Sequence, residues 1–156
     1  KVSVETRPVH VGVLTDEIFA SLTAKADERE VKLFNDIDKS TTILADNVRL
    51  EQMLVNLIDN AIKFNRVGGS VTVTHRRHED MDVISVIDAG EGIMPEHLGR
   101  IFERFYRVDR ARSREIGGTG LGLAIVKHLA RLHGGEVSVR SVLSEGTTFQ
   151  IELPAS

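Results

Sequence analysis

Cysteine is absent from the 156 residues. This removes disulfides, thiolate nucleophiles and cysteine-ligated zinc, and it fits a reducing compartment without requiring one. Aromatic residues are scarce at 4%, too few for a base-stacking platform. A formal net charge of −3 gives no basic footprint for a phosphate backbone, so nucleic acid is set aside as a partner. No apolar run approaches the ~20 residues of a membrane span, and no signal peptide is visible. The chain opens at Lys1 in strand-like sequence with no initiator methionine, which reads as a piece of something longer. Hydrophobic residues at 41% and charged residues at 28% are ordinary globular values, and the length suits one domain with a sizeable core.

Against that background one stretch stands out. Gly117-Gly118-Thr119-Gly120-Leu121-Gly122-Leu123 leads into the apolar run Leu121, Ile125, Leu129 and Leu132, which has helical spacing. Glycine in a helix interior costs about 1 kcal/mol relative to alanine, so these glycines need a reason. Two readings are open. One is a flexible loop before a helix. The other is an anion site, where glycines let backbone N–H groups approach a phosphate and the helix N-terminus adds unpaired donors and partial positive charge. The lysine that follows the glycines of a P-loop is missing, and so is a Rossmann βαβ repeat.

Along the chain, residues 2–6 alternate like an edge strand closed by Pro8, residues 10–29 read as a helix, and residues 31–37 and 41–45 as strands. Asp46 has the residue type of an N-cap for a helix over 47–65. On that helix Leu50, Met53, Leu54, Leu57 and Ala61 share a broad face, while Asn56, Asn60 and Lys63 share a stripe within roughly 60° of one another. Asp59 is read onto a different face from Asn60. Exposed asparagines are usually just solvated, but a carboxamide oxygen is also a hard ligand suited to Mg²⁺, and a lysine beside it suits a phosphate.

Residues 70–74 and 82–87 read as a hairpin with a longer polar loop over 76–81. The second strand runs into Asp88-Ala89-Gly90-Glu91-Gly92-Ile93, an acid followed by glycine turns. This is either a plain turn or a place where a ligand lies against the backbone and donates to Asp88. A short helix over 95–101 starts at Pro95. Arginines 104, 107, 110, 112 and 114 then occupy a stretch without hydrophobic periodicity. It reads either as a solvated charged loop or as a mobile basic lid beside a phosphate site. A helix over 119–132, capped by Gly134, precedes strands over 136–140 and 147–153. Three main helices and about six strands in mixed order predict a two-layer α/β sandwich, with a mixed, mostly antiparallel sheet covered on one face.

Four ordered motifs together resemble the ATP-binding catalytic domain of bacterial sensor histidine kinases, over nearly the whole chain. Residues 52–64 (QMLVNLIDNAIKF) look like the N box, 88–93 (DAGEGI) like the first glycine box, 101–107 (IFERFYR) like the F box, and 118–123 (GTGLGL) like the second glycine box. The larger superfamily includes gyrase, a class of heat-shock chaperones and the mismatch-repair protein MutL, and its fold is the Bergerat type. The resemblance implies ATP and Mg²⁺ as cofactors. It implies that Asn60 coordinates the metal with Asn56 one turn earlier, that Lys63 contacts phosphate, and that Phe64 packs on the adenine, where the family often has tyrosine. Asp88 would accept from the adenine amino group, with Gly90, Gly92 and Ile93 around the base. Arg107 is a candidate for the γ-phosphate, and Gly118, Thr119, Gly120, Leu121, Gly122 and Leu123 would hold the phosphates at the helix start.

The partners so implied are a phosphoacceptor-histidine domain of the same parent and then a response regulator. The parent would be a membrane-bound homodimer with this domain on the cytoplasmic side of the inner membrane, and the piece alone a monomer. Two departures matter. Ala89 stands where the first glycine box commonly has asparagine. Asn56 stands where the ATPase branches have a glutamate that serves as base for water. A neutral amide cannot take a proton, so hydrolysis should be slow and ATP kept for a protein acceptor. A stand-alone serine kinase of the anti-sigma-factor type and a non-catalytic partner-binding module are the alternatives. Histidines stand at 10, 75, 78, 97, 128 and 133, none in the setting of a phosphoacceptor, which is a histidine followed by an acid and soon by a proline. The acceptor and sensor domains therefore read as absent from this stretch. Incubated alone with labelled Mg·ATP, the chain is expected to bind nucleotide and acquire no phosphohistidine; acid-labile label on the isolated chain would contradict this.

Overall fold

The computed structural model describes residues 3–104, 106 and 122–156. Among these, the elements run β1 (Arg7–His10), α1 (Val11–Glu28), β2 (Lys32–Asn35), β3 (Thr42–Ala45), α2 (Asn47–Lys63), β4 (Ser70–His78), β5 (Met81–Asp88), α3 (Pro95–Leu98), α4 (Gly122–Leu132), β6 (Glu136–Val142) and β7 (Gly146–Pro154). Five strands lie side by side in the order β2-β4-β5-β7-β6. β2 joins β4 in parallel and the other three pairings are antiparallel. β1 and β3 make a separate antiparallel ribbon.

Strand alternation explains why helices cover one face. Val73 lies opposite Val86, Val86 opposite Phe149, and Ile84 opposite Ile151, which in turn faces Val137. All six are buried. Against this face α2 packs on β4 and β5, α4 on β6 and β7, and α1 on α2 and β2. From α2, Leu50, Met53, Leu54, Leu57 and Ile58 are fully buried, each side chain contributing about 1.5–3 kcal/mol of transfer free energy. The two-layer α/β sandwich with a mixed, mostly antiparallel sheet is thus what forms.

Two expectations shift. The first strand lies at Arg7–His10 and contains Pro8 rather than ending before it. Among the described residues β1 pairs only with β3, an edge position where a residue without an N–H is tolerated. The hairpin is also tighter: β4 reaches His78 and β5 starts at Met81, leaving Glu79, at φ 55°, and Asp80 in the turn. The polar residues extend the strands because they pair across them. Arg77 lies opposite Asp82, and the buried Asp82 carboxylate receives His75 Nε2 at 2.8 Å and Arg77 Nε at 2.9 Å on the same oxygen.

Helix α2, which carries the asparagine stripe, is fixed at its start and end. Asp46 is its N-cap as expected. Its Oδ1 accepts from the Arg49 N–H at 3.3 Å and its Oδ2 from the Glu5 N–H at 3.1 Å. The Glu5 bond, followed by that of Arg49, holds the Asp46 carboxyl below its ordinary pKa despite partial burial. The backbone N–H of Asp46 donates to Nε2 of the buried His133 at 3.1 Å, while His133 Nδ1 lies 2.8 Å from the Leu129 carbonyl. A carbonyl only accepts and an amide only donates, so His133 is neutral with its proton on Nδ1. At the other end, the Arg29 guanidinium donates to the Ile62 carbonyl at 3.0 Å and to the Asn65 carbonyl, capping the last turn. Asp46→Ala is expected to lower the unfolding free energy by about 1 kcal/mol. His133→Ala strands a donor and an acceptor and should cost about 1–3 kcal/mol. Urea denaturation at neutral pH checks both.

Candidate functional site

The stripe on α2 forms, with its groups unequally engaged. Asn56 is half-buried and its Nδ2 donates to the Gly122 carbonyl at 3.3 Å, so the amide is bound to the first residue of α4. Asn60 is half-buried, and its carboxamide has no hydrogen-bond partner among the described residues. No buried side-chain polar atom there lacks a partner, so the Asn60 amide is open at the surface of the site. Lys63 is ion-paired to Asp59 at 3.1 Å, and Asp59 is shared with Lys25 at 3.4 Å. Asp59 is therefore part of the lysine's surroundings. It lies 100° from Asn60 around the helix, but its i, i+4 spacing puts it about 40° from Lys63. Phe64 is the half-buried C-cap, its N–H donating to the Asn60 carbonyl at 3.1 Å.

The second half of the site is the end of β5. Asp88 Oδ1 accepts two backbone donors, the Gly90 N–H at 2.9 Å and the Thr147 N–H at 3.2 Å. Thr147 is positioned because β7 pairs with β5 in the register that sets it opposite Asp88. Asp88 Oδ2 has no partner among the described residues and, by the same full satisfaction of buried atoms, is open. Burial raises the Asp88 pKa above its ordinary value, and the Gly90 and Thr147 N–H groups oppose that rise. Gly90 is buried, and a Cβ there would come within 2.8 Å of the Phe64 carbonyl oxygen. The Asp88 loop therefore lies directly on the end of α2. Gly92 has φ +82° with the Val142 carbonyl 2.5 Å from a would-be Cβ, so only glycine fits there. Ile93 is half-buried against the core and its N–H donates to Ser141 Oγ at 2.7 Å.

Gly122 and Leu123 open α4, with Leu123 packed on the core. Arg107, Gly118, Thr119, Gly120 and Leu121 lie outside the described residues, as do Phe105 and most of the arginine-rich stretch. Of the F box, Phe102 meets Phe149 edge-on with ring centroids 5.9 Å apart. The Arg100 guanidinium sits 4.6 Å from the Tyr106 ring centroid.

Three contributors escaped the sequence reading. Thr147 holds Asp88 through its main chain. Ser141 holds Ile93 and donates to the Gly146 carbonyl at 3.0 Å. Arg66 donates to the carbonyls of Ala89, Gly90 and Ser144. A backbone donor has no residue-type signal, and Ser141 and Arg66 look like ordinary strand and turn residues until the strands are paired.

Among the described residues, the arrangement offers an open carboxylate oxygen beside glycine backbone at one end and an amide oxygen without a hydrogen-bond partner at the other. Among the described residues no cluster of three or more His, Cys, Asp or Glu side chains could hold a metal. One open hard oxygen suits Mg²⁺ that arrives with phosphates, which carries most of its own ligands.

The model of the family described as histidine kinase-, DNA gyrase B- and HSP90-like ATPase matches residues 45–156. Sensor protein SrrB of Staphylococcus aureus (strain MRSA252) is 39% identical over 153 residues, 98% of this chain and 26% of SrrB. The chain thus spans about a quarter of the length of the curated relatives it matches. Full-length ShkA in complex with AMPPNP superposes with a TM-score of 0.84 at 33% identity, covering 98% of this chain and 32% of ShkA. The nucleotide-free catalytic domain of histidine kinase ThkA gives a TM-score of 0.84 at 25% identity over 97% of both chains.

Asp88 also makes a prediction about stability. A carboxyl whose pKa is raised on folding favours the folded chain below its unfolded value near 3.8, and that contribution is lost as pH rises through the folded pKa. At neutral pH the buried anion is a net burden. Asp88→Asn keeps an oxygen for the Gly90 and Thr147 N–H groups and removes the charge. It is expected to raise the melting temperature of the ligand-free chain at pH 7, with the gain shrinking as pH falls below the folded pKa. A pH series of thermal melts checks the sign.

Proposed function

Since the chain belongs to the histidine kinase-, DNA gyrase B- and HSP90-like ATPase family, we propose that it is the catalytic domain of a sensor histidine kinase. In this reading it binds Mg·ATP and donates the γ-phosphoryl group to a histidine on a separate dimerisation and phosphoacceptor domain of the same parent. A response regulator then receives the phosphoryl group. One observation carries the proposal: the open Oδ2 of Asp88, in a loop of glycines that rests on the C-terminal end of the helix bearing the open Asn60 amide. An adenine amino group donates to that oxygen, and Gly90 and Gly92 leave the ring room. Phe64 packs beside it.

At the phosphate end Asn60 holds the metal, which when bound neutralises phosphate charge. Lys63 supplies a cation from its pair with Asp59, and Gly122 and Leu123 begin the helix at which the second glycine box ends. Arg107 and residues 118–121 are assigned to the γ-phosphate and phosphate cradle by their motif alone. Phosphoryl transfer asks a protein mainly for this positioning and charge compensation. Asn56 supplies no base. Its Nδ2 is engaged with Gly122, and a neutral amide takes no proton from water, so ATP is retained for the protein acceptor. The parent is proposed to be a homodimeric membrane sensor with this domain on the cytoplasmic side. Among the described residues no helix is long and apolar enough to cross a membrane.

ATP at about a hundred times its dissociation constant should stabilise the chain by about 2.7 kcal/mol in the presence of Mg²⁺, a rise of roughly 5–11 °C at ~2–4 °C per kcal/mol. Asn60→Ala is expected to abolish the Mg²⁺-dependent part of that rise, and Asp88→Asn to remove most of the rise despite the better apo stability. Mixed with a separate phosphoacceptor domain, the chain should yield acid-labile phosphate on the partner. No ATP-induced shift in the wild type sinks the proposal, and acid-stable phosphate on the partner would redirect it to a serine kinase.

A further inference from the structure

We infer that Arg66 is a positioning residue that aims the Asp88 carboxylate and so sets selectivity for a 6-amino purine; this rests on the reading of Asp88 as the adenine acceptor. Arg66 lies two residues beyond Phe64, the C-cap of α2. Its residue is exposed, yet Nε donates to the Ala89 carbonyl at 2.5 Å and Nη2 to the carbonyls of Gly90 at 3.0 Å and Ser144 at 2.8 Å. Its own main chain is anchored. The Arg66 N–H donates to Asn65 Oδ1 at 2.9 Å, and the fully buried Asn65 donates through Nδ2 to the Ser70 carbonyl at 2.8 Å. A planar guanidinium with several donors in fixed directions is the side chain that can join three carbonyls from two loops.

The Ala89 carbonyl and the Gly90 N–H belong to one peptide unit. That unit is planar and trans, so its C=O and N–H point in opposite directions. The N–H end holds Asp88 Oδ1 at 2.9 Å and the C=O end is held by Arg66. Arg66 therefore fixes the peptide plane that fixes the carboxylate, and donating to the carbonyl also strengthens the N–H as a donor. The remaining main-chain ties of this loop lie on either side of that peptide: Ala89 N–H to the Ser70 carbonyl at 3.1 Å, Ser144 N–H to the Glu91 carbonyl at 2.8 Å, and Ile93 N–H to Ser141 Oγ at 2.7 Å. Without Arg66 the Ala89–Gly90 peptide loses the donor on its carbonyl, and Gly90 offers it no side-chain restraint. Thr147 N–H is then the one donor to Oδ1 still fixed by the sheet, and the direction of Oδ2, on which recognition of an exocyclic amine depends, is set less tightly.

The test compares ATP, ITP (oxygen in place of the 6-amino group) and inorganic tripolyphosphate, each with Mg²⁺, by calorimetry on wild type, Arg66→Ala and Arg66→Lys. Arg66→Ala should weaken ATP by about tenfold, the scale of one oriented hydrogen bond. ITP should weaken far less, so that the ATP-to-ITP ratio contracts, and tripolyphosphate should bind as to wild type. Arg66→Lys, which keeps the charge without the fork, should behave like Arg66→Ala. A ratio unchanged in Arg66→Ala, tripolyphosphate weakening in step with ATP, or a wild-type ratio in Arg66→Lys each overturns the inference. A ligand-free readout separates it from the kinase reading. Amide hydrogen exchange at Gly90 should quicken in Arg66→Ala while α2 keeps its protection; unchanged exchange at Gly90 removes the brace even if the wild type binds no ATP, the result that sinks the kinase reading instead.

Discussion

One oxygen of the half-buried Asp88, Oδ1, accepts two main-chain N–H groups, one from the loop after β5 and one from β7, and the site is built around that pair of bonds. Burial disfavours the anion and the two donors oppose this. The compromise ties one oxygen and leaves the other open. It depends on long-range order. Thr147 reaches Asp88 because five strands pair in one register, and Gly146 must be glycine because a Cβ would lie 2.0 Å from the Asp88 carbonyl oxygen. The strand pairing of the sheet and the chemistry of the slot are one constraint seen at two scales.

Helix α2 supplies the other half and is held against α4 at two levels. Asn56 reaches the Gly122 carbonyl at the start of α4, and the Asp46 N–H reaches His133 just past its end. The helices therefore run antiparallel with matched ties. Elsewhere on α2, Asp59 lies between Lys25 of α1 and Lys63 of its own helix. Partly exposed pairs of this kind contribute only a few tenths of a kcal/mol each, so Lys63 is held weakly. Its ammonium can exchange one anionic partner for another at little cost, which the fully engaged His133 cannot do.

The fold was largely legible because its signals are local. The 3.6-residue apolar stripe of α2 and the Asp46 cap act within a few residues, and both appear where expected. Misplacements came where pairing overrode composition: Pro8 sits in an edge strand, and polar residues 76–78 belong to β4 because Arg77 and His75 converge on Asp82. The placement of Asn56, Asn60 and Lys63 along one side of α2, and of Asp88 at the end of β5, was legible from residue type and spacing. Asp59 lies away from Asn60 around the helix, but its i, i+4 relation to Lys63 decides what it touches. Thr147, Ser141 and Arg66 were not legible, since they act through main-chain donors, a hydroxyl on a distant strand, or a guanidinium whose acceptors are carbonyls.

The two ends of the site differ in how they are held, and the difference fits what each is proposed to recognise. A neutral heterocycle offers direction and little charge, so selectivity for it depends on a fixed acceptor angle. Here a carboxylate is set by two N–H groups, one of them on a peptide held from behind by Arg66. A polyphosphate offers charge and many equivalent oxygens, so affinity for it tolerates adjustable partners. Here those are an open amide and a lysine on a weak surface pair. The neutral amide of Asn56 completes the division. It is bound as a donor to the Gly122 carbonyl, and it offers no base at the end where phosphate chemistry is proposed to take place.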